Sequence, residues 1–126
     1  MSMSDYLETA LLNLTLRNTA FTPPATVYLA LHTADPTDAG TGAEVTGGGY
    51  ARQAIAFGAP SGGVALNSGT VTFPSATAGY TATHFGIRDA LTGGNLLYHG
   101  ALGASKTAAV GDQIFFQPGD VSVTLS

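Results

Sequence analysis

The chemistry open to this chain rests on three histidines, eight carboxylates and five tyrosines, because cysteine is absent. Without cysteine there are no thiolate nucleophiles, zinc–thiolate sites or disulfides. His32, His84 and His99 lie in three different strand-like segments, and none has another histidine or a carboxylate two residues away. Three strands could still bring them to one metal, but a sheet-face or edge role is the simpler interpretation. The sequence therefore predicts no metal and no cofactor.

The longest irregular stretch, residues 33–50, has no periodicity and exceeds the usual connection of about 4 to 6 residues. Its carboxylates are oxygen ligands of the kind calcium uses, but they lack the spacing of a calcium-binding loop. Long loops of this kind are usually functional or mobile. We therefore expect an exposed loop that presents Asp35, Asp38, Glu44 and Tyr50.

Two familiar enzyme motifs are missing. Gly47 to Gly49 are not followed by the Lys-Ser or Lys-Thr of a nucleotide-binding loop, and the residues after them resemble a strand. Ser61 and Ser68 lack the surroundings of a nucleophile elbow. The sequence thus favours a non-enzymatic function.

The charge pattern excludes one partner class and favours another. Only 10% of the residues are charged, against about 25% in an average domain. The four basic side chains are scattered, so no stripe exists to neutralise a run of phosphates and direct nucleic-acid binding is not expected. A surface with so little charge suits a protein that is covered by copies of itself or by other neighbours.

The N-terminus carries no cationic leader, and no apolar run is long enough for a membrane span. We therefore expect synthesis in the cytoplasm and no membrane partner. The spacing of Leu7, Ala10, Leu11 and Leu14 predicts one helix over residues 4–17. Ser4 is placed to cap this helix, and Asn18 to close it in the left-handed conformation.

The predicted helix has a wider apolar surface than one sheet would cover, because Leu12 and Leu16 fall away from the first stripe. The extra face predicts contact with another subunit. An alternative is that the helix lies between two layers of its own domain. The predicted partner interface comprises Leu7, Leu11, Leu12, Leu14, Leu16 and Phe21.

After Pro23 and Pro24 the hydrophobic period changes to two, which is typical of strands. The strongest strand is "TVYLALHT" at residues 26–33. Turn residues separate the other candidates. These candidates cover residues 50–57, 70–73, 81–89, 95–102, 105–110, 112–116 and 120–125.

This pattern predicts a mainly β fold, namely a two-sheet antiparallel sandwich or jelly roll of about eight short strands with one N-terminal helix. A closed barrel is the architectural alternative. We divide the chain into a helical arm with its Pro-Pro linker, residues 1–24, and a β-sandwich domain, residues 25–126. The predicted core is Phe57, Val71, Phe73, Phe85, Ile87, Ile114, Phe116, Val121 and Val123.

Three segments carry a family resemblance: "YLALHTADP", "EVTGGGYARQ" and "HFGIRDALTGGNLLYHG". With them, nearly the whole chain resembles small virion structural proteins of tailed bacteriophages, which are often labelled tail fibre or minor tail proteins. The resemblance brings no catalytic residues. It implies a repeated component on the virion surface, made in the host cytoplasm.

Two roles fit that resemblance. The favoured prediction is a head decoration (cement) protein, a homo-oligomer and most simply a trimer, that binds the major capsid protein. The alternative is a tail fibre or minor tail component that contacts tail proteins and binds a host receptor or glycan. Tyr50, Tyr80 and Tyr98 could stack on sugar rings in the second role, although tyrosines at strand ends commonly bury their rings.

Overall fold

The computed structural model describes residues 1–125 of the chain. Its helix α1 (Asp5–Leu16) begins where the Ser4 hydroxyl accepts a hydrogen bond of 3.2 Å from the Leu7 N–H. This cap satisfies one of the donors that a first helical turn leaves unpaired. The helix closes at Asn18, which has a left-handed φ of 52°. The predicted helix and both of its end signals are confirmed.

Nine strands lie within residues 1–125, and all of their pairings are antiparallel. In chain order they are β1 (Ser2–Met3), β2 (Val27–His32), β3 (Gln53–Ile55), β4 (Val64–Leu66), β5 (Val71–Thr72), β6 (Tyr80–Arg88), β7 (Leu96–Ala108), β8 (Phe115–Phe116) and β9 (Ser122–Thr124). Five form one sheet in the order β1-β7-β6-β2-β3. Strands β4 and β9 form a second sheet, and β5 and β8 a third.

One hydrophobic core lies between the five-stranded sheet and the two small sheets. Leu29 and Leu31 of β2 and Ile87 of β6 are at most 2% exposed and supply its centre. Phe73 stacks on Tyr50 with ring centroids 5.9 Å apart. This arrangement confirms a mainly β, sandwich-like fold with one N-terminal helix; the jelly-roll variant stays a prediction.

The predicted core is largely the observed one. Phe57 and Val123 are only partly buried and pack against the core from its edge. The other predicted core residues are buried: Val71, Phe73, Phe85, Ile87, Ile114, Phe116 and Val121.

The strand boundaries differ from the sequence prediction in several places, and the strands predicted at 70–73, 112–116 and 120–125 are shorter in the structure. The segments 95–102 and 105–110 form the single strand β7, because a register shift opposite Ala82 and His84 lets β6 continue along it. The segment 50–57 is shortened to β3. Its first residues contact the 33–50 loop instead: the Tyr50 N–H donates to the Gly47 carbonyl, and Arg52 donates to Glu44. Strands β1 and β4 were not predicted, because two or three residues show no periodicity.

The first residues of the chain form the edge of the large sheet. Ser2 and Met3 pair with His99 and Tyr98 of β7, and the Ser4 N–H donates to the Leu97 carbonyl at 2.9 Å. These hydrogen bonds hold the start of α1 against β7. The proposed division of the chain at residue 24 stays a prediction.

Candidate functional site

One face of the five-stranded sheet carries all three histidines and a buried arginine. His32 pairs directly with His84, and His99 pairs with Gly86, two residues further along β6. Paired residues and residues two apart point to the same side of a sheet. Arg88 follows Gly86 by two residues and joins this side. We call His32, His84, Arg88 and His99 the polar face; it lies opposite the hydrophobic core.

The 33–50 loop covers the polar face. It returns to β2 at a bridge between His32 and Glu44, and the Val45 N–H donates to the Leu31 carbonyl at 2.9 Å. Its middle reaches the start of the helix, where the Asp5 N–H donates to the Asp38 carbonyl at 2.9 Å. The loop is therefore held at both its end and its middle.

His99 anchors the middle of this loop. Its Nε2 lies 2.7 Å from Asp38 Oδ1, and its Nδ1 lies 3.5 Å from Asp35 Oδ1. The His99 side chain is 8% exposed, whereas the side chains of Asp35 and Asp38 are 59% and 50% exposed. With the aspartate ionised, the Nε2–H donates and Asp38 accepts.

His32 is sealed beneath the loop. It has no exposed surface, and neither ring nitrogen has a hydrogen-bond partner within residues 1–125. The ring fits because Gly86 has no side chain: a Cβ there would lie 3.0 Å from His32 Nε2 and 2.8 Å from Leu96. Burial, with a contribution from Arg88, lowers the pKa of His32 to about 4. This imidazole is neutral and inaccessible, so it cannot act on a substrate.

Glu44, Arg52 and Tyr50 form the second anchor of the loop. Arg52 Nε and Nη2 donate to the two Glu44 oxygens at 2.9 and 2.8 Å, and Nη1 donates to the Ala90 and Gly93 carbonyls, both at 2.8 Å. Such a two-pronged pair fixes geometry as well as charge. The anchor joins the loop to the β6–β7 turn.

Tyr50 completes this network. Its hydroxyl donates to Glu44 Oε2 at 2.6 Å and accepts from the Leu31 N–H at 3.0 Å. Burial opposes ionisation of Glu44, but the hydrogen bonds from Arg52 and Tyr50 outweigh it and lower the pKa of this carboxyl. Burial, followed by the hydrogen bond to Glu44, raises the pKa of Tyr50.

The structure distributes the four predicted loop residues between these two anchors. Asp35 and Asp38 are exposed, as expected, and both face His99. Glu44 and Tyr50 are half-buried instead, because they bind Arg52 and the β2 backbone. Within residues 1–125 no group of three or more His, Asp or Glu side chains could hold a metal ion.

The three tyrosines considered for sugar stacking are partly buried and pack against the core. Tyr50 lies on Phe73, and the ring of Tyr80 meets Tyr50 edge-on at 6.4 Å. Burial raises the pKa of Tyr80 and of Tyr98. Their rings therefore serve the packing of this chain and present no stacking platform.

The six residues of the predicted partner interface differ in burial because α1 packs only one side against its own chain. Leu7 is 5% exposed and docks the helix on its own chain, while Leu11 and Phe21 are half-buried. The other three, which we call the outer leucines, are exposed. They are Leu12 at 58%, Leu14 at 42% and Leu16 at 76%.

The family of this chain is known from a match to a protein-family model. The family model described as "Podophage GP4 fiber I protein gp80" matches residues 2–124. The chain belongs to this family. Membership makes it a phage fibre or structural protein and a virion component, in agreement with the resemblance in its sequence. The family description favours the tail-fibre alternative over the predicted capsid decoration role.

A search of curated proteins found no match to this gp80-family chain. Among residues 1–125, no helix has both the length and the apolar character needed to span a membrane.

Proposed function

We propose that this gp80-family protein is a non-enzymatic structural subunit of a phage fibre, exposed on the virion surface and held there by protein–protein contacts of α1. The family description supports the fibre assignment. The outer leucines are the observation that carries the role of the helix, because they leave a large apolar surface without a partner in the described chain.

Burial of this surface would contribute to an assembly, although the cost of association, about 4 to 15 kcal/mol, requires further contacts as well. Burying one leucine side chain contributes about 1.5 to 3 kcal/mol. Given the exposed fractions of the outer leucines, covering all three would contribute about 3 to 5 kcal/mol as an upper estimate. A neighbouring protein surface could supply this cover, whereas folding of the chain itself does not.

The polar face supports a structural role over a catalytic one. His32 is sealed, His99 is bound to Asp38, and Glu44 is bound to Arg52. A general base needs access to a substrate proton and a pKa near the working pH. His99 and Glu44 instead hold the 33–50 loop in place and so stabilise the fold.

The partners within the fibre belong to the proposal as well. We propose that the chain associates with itself, with a trimer favoured, and with other tail proteins. A structural subunit is preferred to a receptor-binding one, since the tyrosines that could stack on a sugar are packed against the core. Multi-angle light scattering on the purified protein would give its oligomeric mass.

Antibody labelling of intact particles in the electron microscope tests the location. We expect label on the fibres. Label distributed over the head would overturn the proposal and restore the decoration role. Absence of the protein from purified particles would reject both.

A pair of leucine variants tests the surface. Leu16→Ser in the phage genome should reduce incorporation into particles at unchanged protein stability. Leu66→Ser is the matched control, because Leu66 is 46% exposed and lies in β4, which belongs to a small sheet and not to the sheet that holds α1. Equal incorporation of both variants would show that the outer leucines take no part in assembly.

A further inference from the structure

Arg88 is a buried cation that forms no ion pair with any of residues 1–125. It is 8% exposed, and the ion pairs found within residues 1–125 involve Arg52 and His99 but not Arg88. Its Nη2 donates one long hydrogen bond, of 3.5 Å, to the Gly40 carbonyl. Its Nε is buried and has no partner in the described chain.

Arg52 shows how this same fold satisfies a guanidinium. It makes two bonds to a carboxylate and two to carbonyl groups. A buried charge without a counter-ion is costly, and leaving one partner of a buried pair alone is strongly destabilising. Burial lowers the pKa of Arg88, and the charge of Arg52 lowers it further. Arg88 therefore lacks the partner that its position requires.

A cavity of about 290 Å³ opens beside Arg88, between the first turn of α1, the 33–50 loop and the β6–β7 turn. Gly40, to which Arg88 donates, also lines it. So does Tyr6, which lies in the first turn of α1, where a backbone N–H has no acceptor within the helix. The start of a helix favours negative charge, because its N–H groups point outward there.

We propose that this cavity binds one carboxylate group from outside the described chain, held by the Arg88 guanidinium and the first turn of α1. The inference does not depend on the fibre assignment. The carboxylate has two possible sources: a free small molecule, or an Asp, Glu or C-terminal group of a second copy of this protein.

The charges around the cavity limit how strongly it holds any anion. Asp5 and Asp38 also line it, and Asp38 is already bound to His99. Both carboxylates oppose an incoming anion, and a second charge on the anion doubles this repulsion as well as its attraction to Arg88. The planar fork of a guanidinium also matches a carboxylate in geometry.

Nuclear magnetic resonance on the full chain tests the proposal, since each arginine Nε–H gives its own signal. Titration with sodium acetate, against sodium chloride at equal ionic strength, should shift the Arg88 Nε–H and the Tyr6 amide to a plateau. The Arg52 Nε–H should stay unchanged, because Glu44 occupies it. Inorganic phosphate should bind more weakly than acetate; tighter phosphate binding would contradict the carboxylate assignment.

Protein concentration separates the two sources. A shift of the Arg88 signal on concentrating the protein without acetate, competed away by acetate, would identify a second copy as the donor. A response to acetate alone would identify a free molecule. No response to either would overturn the proposal.

Two variants complete the test. Arg88→Lys keeps the charge but loses the fork, and should weaken acetate binding at least tenfold, as for loss of a strong paired hydrogen bond. Should that variant fail to fold, Asp5→Asn at the exposed mouth should tighten binding about threefold by removing one nearby like charge. Glu8→Gln is the control, because Glu8 lies on the same helix but does not line the cavity. Equal affinity in Asp5→Asn and Glu8→Gln would contradict the site.

Discussion

Replacing His32 by leucine should make the stability of this protein less sensitive to acid. The imidazole is fully buried and makes no hydrogen bond in the described chain, so its protonated form has no favourable place in the fold. In the folded protein its pKa is lowered to about 4 by burial, with the charge of Arg88 adding to the effect. In the unfolded chain it has the ordinary value of 6.5.

The direction of the pH dependence follows from these two values. Between pH 6.5 and about 4 the unfolded chain binds a proton at His32 and the folded chain does not, so acid favours unfolding. The part of the stability that depends on a neutral His32 is fully present above pH 6.5 and is lost as the pH falls towards 4. At 1.36 kcal/mol for each pH unit, the loss is about 3 kcal/mol, a large part of an ordinary domain's stability.

Urea unfolding followed by circular dichroism, at several values between about pH 7.5 and 4.5, measures this loss. The His32→Leu variant should be close to wild type at the upper end, because the change removes two unbonded nitrogens and no hydrogen bond. Its free energy of unfolding should then fall less steeply with acid. Glu44, whose folded pKa is lowered, loses its stabilising contribution in more acidic solution in both proteins alike.

His32→Gln serves as the second comparison. It also removes the titrating ring, but it buries an amide, so it should be less stable than His32→Leu at every pH. A wild-type stability that does not change between about pH 7 and 4.5 would refute the reasoning. The same slope in wild type and His32→Leu would show that another group is responsible.

Three further changes have outcomes that urea unfolding can measure. Glu44→Gln should destabilise by about 2 to 3 kcal/mol, because it leaves Arg52 buried without its counter-ion, and the double variant with Arg52→Met should cost less than the two single changes together. Leu7→Ala should cost about 2 to 4 kcal/mol, whereas Leu16→Ala should cost less than about 0.5 kcal/mol. Gly94→Ala should cost about 1 to 3 kcal/mol, since φ is +70° there and a Cβ would clash with the Asp89 carboxylate and the Ala90 Cβ.

Each of these has a clear contrary result. Glu8→Gln is the control for Glu44, because it removes a carboxylate that is exposed and forms no ion pair in the described part of the chain. Similar stability in the two glutamine variants would mean that the anchor of the loop is unimportant. An equal loss of stability for Leu7→Ala and Leu16→Ala would contradict the packing of α1 described above, in which only Leu7 is buried. A wild-type stability for Gly94→Ala would mean that the β6–β7 turn adapts its backbone.

The elements that the sequence predicted well are those with local signals. Ser4, the leucine spacing and Asn18 all lie within one short segment, and together they define α1. In strand β2 the residue types alternate across residues 27–32, with Val27, Leu29 and Leu31 on one side. In both cases the signal is local, because it depends only on the order of side chains within one element.

The polar face could not be predicted because it depends on register. His32 and His84 are directly paired although 52 residues separate them in the chain, and the shift in β6 between Ala82 and His84 changes which residues of β7 they meet. A slip by one residue would place one of these histidines in the core. Single-strand patterns contain no information on that choice, so they cannot show that the three histidines share one face of the sheet.

The helix shows a different limit. The periodicity of Leu7, Leu11 and Leu14 correctly defines one side of α1, but only Leu7 is fully buried. The start of the helix is tied to β7, and the exposure of its leucines rises from 5% at Leu7 to 42% at Leu14 and 76% at Leu16. The spacing of apolar residues in a sequence shows which side of a helix is apolar. It does not show how much of that side is covered by the rest of the chain.

The two anchors of the 33–50 loop also bear on how this protein can change over evolutionary time. Asp38, Glu44 and Arg52 are each committed to a specific partner, so a substitution at one of them would need a matching change elsewhere. Gly69 and Gly103, by contrast, have ordinary φ values and open space where a side chain would go. Divergence within a phage lineage should therefore accumulate at such positions, while the long loop stays nearly constant in spite of its length.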